Sequence, residues 1–285
     1  MIGQTKVLET LKNMQELPHS MLIIGRRRSG RKTLIKEVFD NDKLYWAPDV
    51  SIQSVRDVVQ ASYKYSNMVF VLADIDNASV NAKNAVLKVI EECPNNNYYV
   101  LTAMEETAVL PTILSRSYIV RMMPYTKLEL MDYRRLQKSY EEVTDLLYNK
   151  CVSFDWCQTP GDVDLILDKS FYDPIYKYAV FVVDHIAYVS GANALKIPQK
   201  LKLTEKDGDK LDLRVFLSVA GDYFYHKGFD VFKLEDKKQL LAMLNCCVYT
   251  NKVLAILEKK SVNKTMLIDD WIFTIRRYLM EVEDD

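Results

Sequence analysis

Between the apolar run MLII at residues 21–24 and the amphipathic stretch TLIKEVF lies GRRRSGRKT, residues 25–33. Gly25, four residues and Gly30 reproduce most of G-x-x-x-x-G-K-[ST], a loop whose backbone N–H groups cradle phosphates. In that loop the lysine meets the outer phosphates and the hydroxyl holds magnesium. Here Arg31 stands at the lysine position and Lys32 at the hydroxyl position. Arginine is a planar fork rather than a compact ammonium, and lysine cannot ligate a metal. A one-residue slip would present Lys32 and Thr33 as the working pair, with one extra residue in the loop. Gly25, Gly30, Arg31, Lys32 and Thr33 are thus candidate contacts of a degenerate nucleotide site, at a helix N-terminus suited to phosphate.

A hydrolytic protein of this type ends its third strand with a magnesium-linked aspartate and usually a glutamate that polarises water. The corresponding stretch is VFVLADIDNAS, residues 69–79, with Ala73 where the first carboxylate is wanted and Asp74 and Asp76 after it. Asp74 joins the candidates, although an aspartate at a strand end also serves as a cap or turn former. Both weakened motifs point to lost hydrolysis.

The elements that must carry these residues are legible in the hydrophobic pattern. MLII (21–24), KLYWA (43–47), MVFVLA (68–73), YYVLTA (98–103) and YIVRM (118–122) are short, apolar and rich in β-branched or aromatic residues. They read as strands buried on both faces. Between them, residues 33–40, 51–65 and 79–92 repeat apolar positions at helical spacing, with Ser51 and Ser79 placed to cap the last two. The alternation predicts an α/β domain with a mostly parallel sheet. Beyond Pro124 helical periodicity takes over, interrupted by the turn QTPGDV at 158–163 and the polar KLTEKDGDK at 202–210. Three parts are expected: an α/β domain over 1–124, a small helical module over 125–170, and a helical region over 171–285.

The chain has 285 residues, 49% of them hydrophobic, and a formal net charge of −1. It is no polycation, so any contact with nucleic acid must come from a local patch. Cys93, Cys151, Cys157, Cys246 and Cys247 include no C-x-x-C pair, and no metal site is expected. They read as free thiols of a reducing compartment. KYAVFVVDHIAYV is broken by Asp184 and His185, and no apolar run reaches the ~18 residues of a membrane span. The beginning MIGQTKVLET has no basic-then-apolar leader pattern, so the expectation is cytoplasmic, without membrane.

Taken in order, IGQTKVLETL (2–11), LPHSMLIIG (17–25), the altered loop, VFVLADIDNASVNAKNAVLKVIEECP (69–94) and LPTILSRS (110–117) resemble the clamp-loader branch of the AAA+ ATPases. The likeness is greatest to the bacterial delta-prime subunits of DNA polymerase III clamp loaders. NAVLKVIEECP followed by LPTILSR is its most specific part, and VNKTMLIDDWIFTI (262–275) resembles the last collar helix more loosely. The resemblance implies an AAA+ α/β domain, a helical lid and a helical collar that joins five subunits in a ring. It implies as partners the other subunits, a sliding clamp and primer-template DNA.

Ser115-Arg116-Ser117 matches the family's Ser-Arg-Cys except for the cysteine. The resemblance therefore assigns Arg116 as an arginine finger directed at ATP and magnesium on a neighbouring subunit. Such a residue stays useful after its own subunit stops hydrolysing, because it stabilises charge at another subunit's site. The alternative is an ATP-hydrolysing subunit that uses Lys32, Thr33 and Asp74 in the slipped register; a third reading is a scaffold relative from another pathway. The family's four-cysteine zinc module is missing. Asp162 stands where relatives carry a sensing arginine, and Ala103 falls near the place of a polar sensor. Arg56 and Lys83 are candidate contacts to the DNA backbone from helices. The compact size suits a viral complex as well as a cellular one.

Overall fold

The computed structural model describes residues 2–137, 157–203, 210–233, 235–257 and 262–281. Two compact units result, one holding residues up to Gln137 together with Cys157–Val163, the other holding the helices from Lys169 onward.

The first unit is built on strands β1 (Ser20–Ile24), β2 (Leu44–Trp46), β3 (Val69–Leu72), β4 (Tyr98–Ala103) and β5 (Tyr118–Arg121). They form one sheet in the order β2-β3-β4-β1-β5, with every pairing parallel. Helices α1 (Thr5–Lys12), α2 (Arg31–Val38), α3 (Ile52–Lys64), α4 (Val80–Glu92), α5 (Pro111–Leu114) and α6 (Lys127–Gln137) accompany it. Since side chains alternate along a strand, each strand feeds two cores. Leu22, Phe70, Leu72, Tyr99 and Leu101 cluster with Val55 and Val58 of α3 and Val86 and Val89 of α4. Met21, Ile23, Val69, Val71, Val100 and Val120 cluster with Leu11 of α1 and Leu34 and Ile35 of α2. Burying each such side chain contributes about 1.5–3 kcal/mol, enough to fix the strands in register. The architecture is the expected one, an α/β domain on a parallel sheet followed by a helical region.

Ser51 and Ser79 cap α3 and α4, their hydroxyls accepting from Ser54 N and Ala82 N at 3.2 Å each. The residues expected as a turn at 158–163 instead begin a helix, Pro160–Leu167. A proline is compatible with the first helical turn, where its missing N–H has no partner to lose.

In the second unit, helices Lys169–His185, Leu213–Lys233, Lys237–Leu257 and Lys264–Met280 dominate. Trp271 is fully buried, edge-on to Phe216 with centroids 5.7 Å apart, and its indole N–H donates to Thr250 Oγ1 at 2.9 Å. Two departures from the sequence expectation occur. Leu201–Lys202 and Leu211–Asp212 pair as short parallel strands on either side of the anticipated loop, whose residues 204–209 lie outside the described ones. Lys237–Leu257 is long and apolar enough to cross a membrane by length and composition, with a mean hydropathy of 1.6 over its best window. Asn245, Asn251 and Lys252 dilute that run, and Ala242, Met243, Cys246, Thr250 and Val253 are buried within the protein. The segment EEVTDLLYNK, anticipated as helical, lies outside the described residues.

Candidate nucleotide loop and arginine finger

The loop from Gly25 to Gly30 leaves the carboxyl end of β1, where Gly25 N donates to Ala103 O at 3.0 Å. A Cβ at Gly25 would stand 2.6 Å from Met122 Cγ, so that position needs glycine. Gly30 has φ +86°, a left-handed backbone that favours glycine, and it caps α2. The two glycines of the motif thus keep their structural duty.

Arg31, in the first turn of α2, turns inward and is 7% exposed. Its Nη2 lies 2.8 Å from Asp74 Oδ1, an ion pair, and its Nη1 makes a long 3.5 Å contact with Thr102 Oγ1. Thr102 Oγ1 also accepts from Asp74 N at 2.9 Å. Asp74 follows β3 in the left-handed region, with φ 58°. The lysine position of the loop and the carboxylate after β3 therefore neutralise each other. Lys32 and Thr33 are exposed on α2, and Lys32 Nζ lies over the Trp46 ring, 5.9 Å from its centroid. Of the candidate residues, Arg31 and Asp74 meet directly, and Lys32 and Asp74 line one cavity. Sequence reasoning overlooked Thr102, looking one residue further to Ala103. The available signal was a hydroxyl near the carboxyl end of an otherwise apolar strand, the end where open α/β sheets bind ligands.

Two other contacts hold the loop. Tyr125 donates its hydroxyl to Ser29 O at 2.7 Å, and burial raises that phenol above its ordinary pKa. A Cβ at Gly161 would come within 2.5 Å of Arg28 Cβ, and Gly161 N reaches Arg28 O at 3.4 Å. Next to it, Asp162 is buried and accepts from Gln158 N and Thr159 N, both at 3.1 Å, while its own N–H donates to Thr159 Oγ1 at 3.3 Å. This is a reciprocal capping box at the start of Pro160–Leu167. The carboxylate of Asp162, where the resemblance implies a sensing arginine, serves the helix end.

Arg116 follows α5 at the protein surface. It forms an ion pair with Glu91 of α4, and its Nη1 donates to Thr112 O at 3.2 Å and Ser115 Oγ at 3.3 Å. Its side chain is 41% exposed, and a pair so exposed is worth about 0–1 kcal/mol. The guanidinium is therefore held in place at small cost to any anion that would claim it. Ser117 Oγ lies 3.0 Å from Ser20 Oγ at the start of β1, so the third residue of the triplet is tied to the sheet.

The two helix candidates for backbone contact separate. Arg56 is exposed on α3. Lys83, expected to reach the DNA backbone, is 8% exposed and donates to Asp76 O at 3.1 Å and Ala108 O at 3.0 Å. The expectation for Lys83 is corrected: its ammonium binds together the two turns beside α4 and is withdrawn from solvent. Among the described residues no group of three or more histidine, cysteine or acidic side chains could hold a metal, and Cys93, Cys157, Cys246 and Cys247 are free.

Residues 49–126, just over a quarter of the chain, match the family model described as DNA polymerase III, delta subunit. No curated protein matches. Among solved structures, the chain is similar to a DNA polymerase III gamma subunit-related protein of Thermotoga maritima, at 17% identity and TM-score 0.47, covering 95% of this chain and 99% of that one. It is also similar to the RuvB Holliday junction branch migration motor of Thermotoga maritima, at 14% identity and TM-score 0.41, covering 79% and 78%. A third likeness is to AMPPCP-bound DnaA of Aquifex aeolicus, at 12% identity and TM-score 0.44, covering 96% and 93%.

Proposed function

We propose that this chain is a delta-prime-like subunit of a DNA polymerase clamp loader, acting in the cytoplasm, that does not hydrolyse ATP and supplies Arg116 to ATP on a neighbouring subunit. The observation that carries the reading is a contrast between two arginines. Arg31 is buried and spent on Asp74, whereas Arg116 lies on the surface in an exchangeable ion pair. The match of residues 49–126 supports the polymerase III context and includes the Arg116 triplet. In this reading residues 1–124 form the α/β domain, 125–170 the lid and 171–285 the collar of a five-membered ring that opens a sliding clamp and places it on primer-template DNA. Arg56 is the helix cation left for the DNA backbone.

A finger residue acts only on the transition state of its partner's reaction, where one arginine is worth about 10³–10⁵ in turnover. Arg116→Ala is therefore expected to lower the ATPase of the assembled complex strongly while leaving assembly intact. Thr33→Ala, which removes the hydroxyl of the slipped register, is expected to leave that ATPase unchanged. Steady-state ATPase measured on the reconstituted assembly separates these, and equal losses from both substitutions would overturn the proposal.

A further inference from the structure

Between α2 and the loop after β2, bordering Asp74 of the Arg31 pair, the structure has an open cavity of about 490 Å³. It is lined by Lys32 and Lys36 of α2, Trp46 at the end of β2, Pro48 and Asp49 of the loop that follows, and Asp74. Volumes of this order accommodate a small ligand or one residue of a polymer. Its charges are unevenly committed. Asp74 is neutralised by Arg31. Asp49 accepts from Ser51 N at 2.9 Å, and hydrogen bonds from Ser54 and Ser51 hold its carboxyl below the usual range. Lys32 and Lys36, by contrast, form no ion pair among the described residues, and both are exposed. They sit four residues apart on one wall, about 6 Å along the helix axis. The opposite feature is an indole with Lys32 Nζ over its face.

We infer that this cavity binds a segment of single-stranded DNA, stacking one base on Trp46 and placing the adjoining phosphates on Lys32 and Lys36. An aromatic platform beside tracking cations is how strands are held without sequence readout. A base arriving on the indole releases the Lys32 ammonium from the ring, so the cation becomes free for phosphate in the same step. Neither Arg31 nor Arg116 lines the cavity, which borders the Arg31 pair only through Asp74. Binding is a property of the isolated chain and does not depend on ring assembly, so its failure would leave the finger proposal standing.

The test is fluorescence anisotropy of a labelled oligothymidylate against the full chain across a salt series, paired with quenching of tryptophan emission. Two phosphate contacts on a single strand contribute about 1.4 to the log–log salt slope, at about 0.7 each. Lys32→Gln with Lys36→Gln is expected to reduce the slope by about that amount. Trp46→Ala is expected to weaken binding about 5- to 150-fold, the range for loss of one stacked base. Trp46→Phe keeps the platform, so it retains most of the affinity while losing the quenching, a signature that damage to the fold would not mimic. Three results overturn the inference: no binding by the wild-type chain at low salt, an unchanged slope in the double variant, or displacement of the strand by millimolar ATP, which would make the cavity a mononucleotide site.

Discussion

Arg31 shows how one side chain can change the duty of a loop without changing its path. A lysine there would end in a point charge that reaches for phosphate, whereas the arginine fork reaches Asp74 and Thr102. The pair is unequal, because the Arg31 side chain is 8% exposed and the Asp74 side chain 43%. Removing the aspartate strands a buried guanidinium, while removing the arginine leaves a carboxylate that water can reach. Asp74→Ala is therefore expected to destabilise the first unit more than Arg31→Met does, the latter by about 1–2 kcal/mol, between the surface and buried limits for ion pairs. Urea unfolding of both singles and the double variant checks this: the double should cost clearly less than the sum, and strict additivity would mean that the pair contributes nothing. Cys246 offers a test by pH. Burial pushes its thiol up to about 12 from an ordinary value of 9.0. The native state thus keeps a proton that the unfolded chain gives up, so this contribution is present below about pH 9 and fades as pH rises towards 12. Cys246→Ala should flatten the alkaline fall in stability, and Cys246 should resist thiol reagents at pH 8 while the protein is folded.

At the scale of elements, the capping box of Pro160–Leu167 explains why placing an arginine at position 162 would fail. Asp162→Arg would put a cation at a position that faces Gln158 N and Thr159 N, and remove the acceptor for both. A lost cap of this kind costs about 0.5–2 kcal/mol. The expected outcome is a lowered melting temperature with no gain in ATP binding, read by calorimetry with and without nucleotide. Tighter ATP binding by the variant would contradict the assignment. The same helix marks how far sequence reasoning reached. Five strands and the helices after them were legible because runs such as VFVL and YYVLTA are apolar on both faces, and Ser51 and Ser79 stand one residue before helical periodicity begins. QTPGDV was misread as a turn because proline and glycine mark turns and helix starts alike; what decides is Asp162, three residues after Thr159, and the partners of a carboxylate are set by tertiary placement. Lys83 was misread for a related reason. Its position on α4 is polar by type, yet the carbonyls of Asp76 and Ala108 come from two separate turns that only the folded sheet brings to it. The Arg31 and Asp74 pair was equally out of reach, since the two residues are 43 positions apart in sequence and either could have faced solvent.

For the whole molecule, the question is whether nucleotide is a ligand of this chain or, as proposed, only of a neighbouring subunit. A ligand that binds the native state alone stabilises it by RT ln(1 + [L]/Kd), about 2.7 kcal/mol at a hundred times Kd. With about 1 mM MgATP and a site of about 10 μM, that would raise the midpoint of a unit of roughly 150 residues by about 5–10 °C. Because Asp74 is engaged by Arg31 and Asp162 by the helix end, the isolated chain is expected to show no such rise. A scanning-calorimetry series with ATP, with and without magnesium, tests this on the full protein, following each unit's transition separately because the chain divides into two. A rise of that size that disappears in Thr33→Ala would locate magnesium on the slipped register and make the chain an ATP-binding subunit. A rise that survives Thr33→Ala but disappears when Arg31 is changed would mean that Arg31 leaves Asp74 when phosphate arrives. In that case the internal pair would be a latch opened by nucleotide, and the loop a switch where a permanent closure is expected.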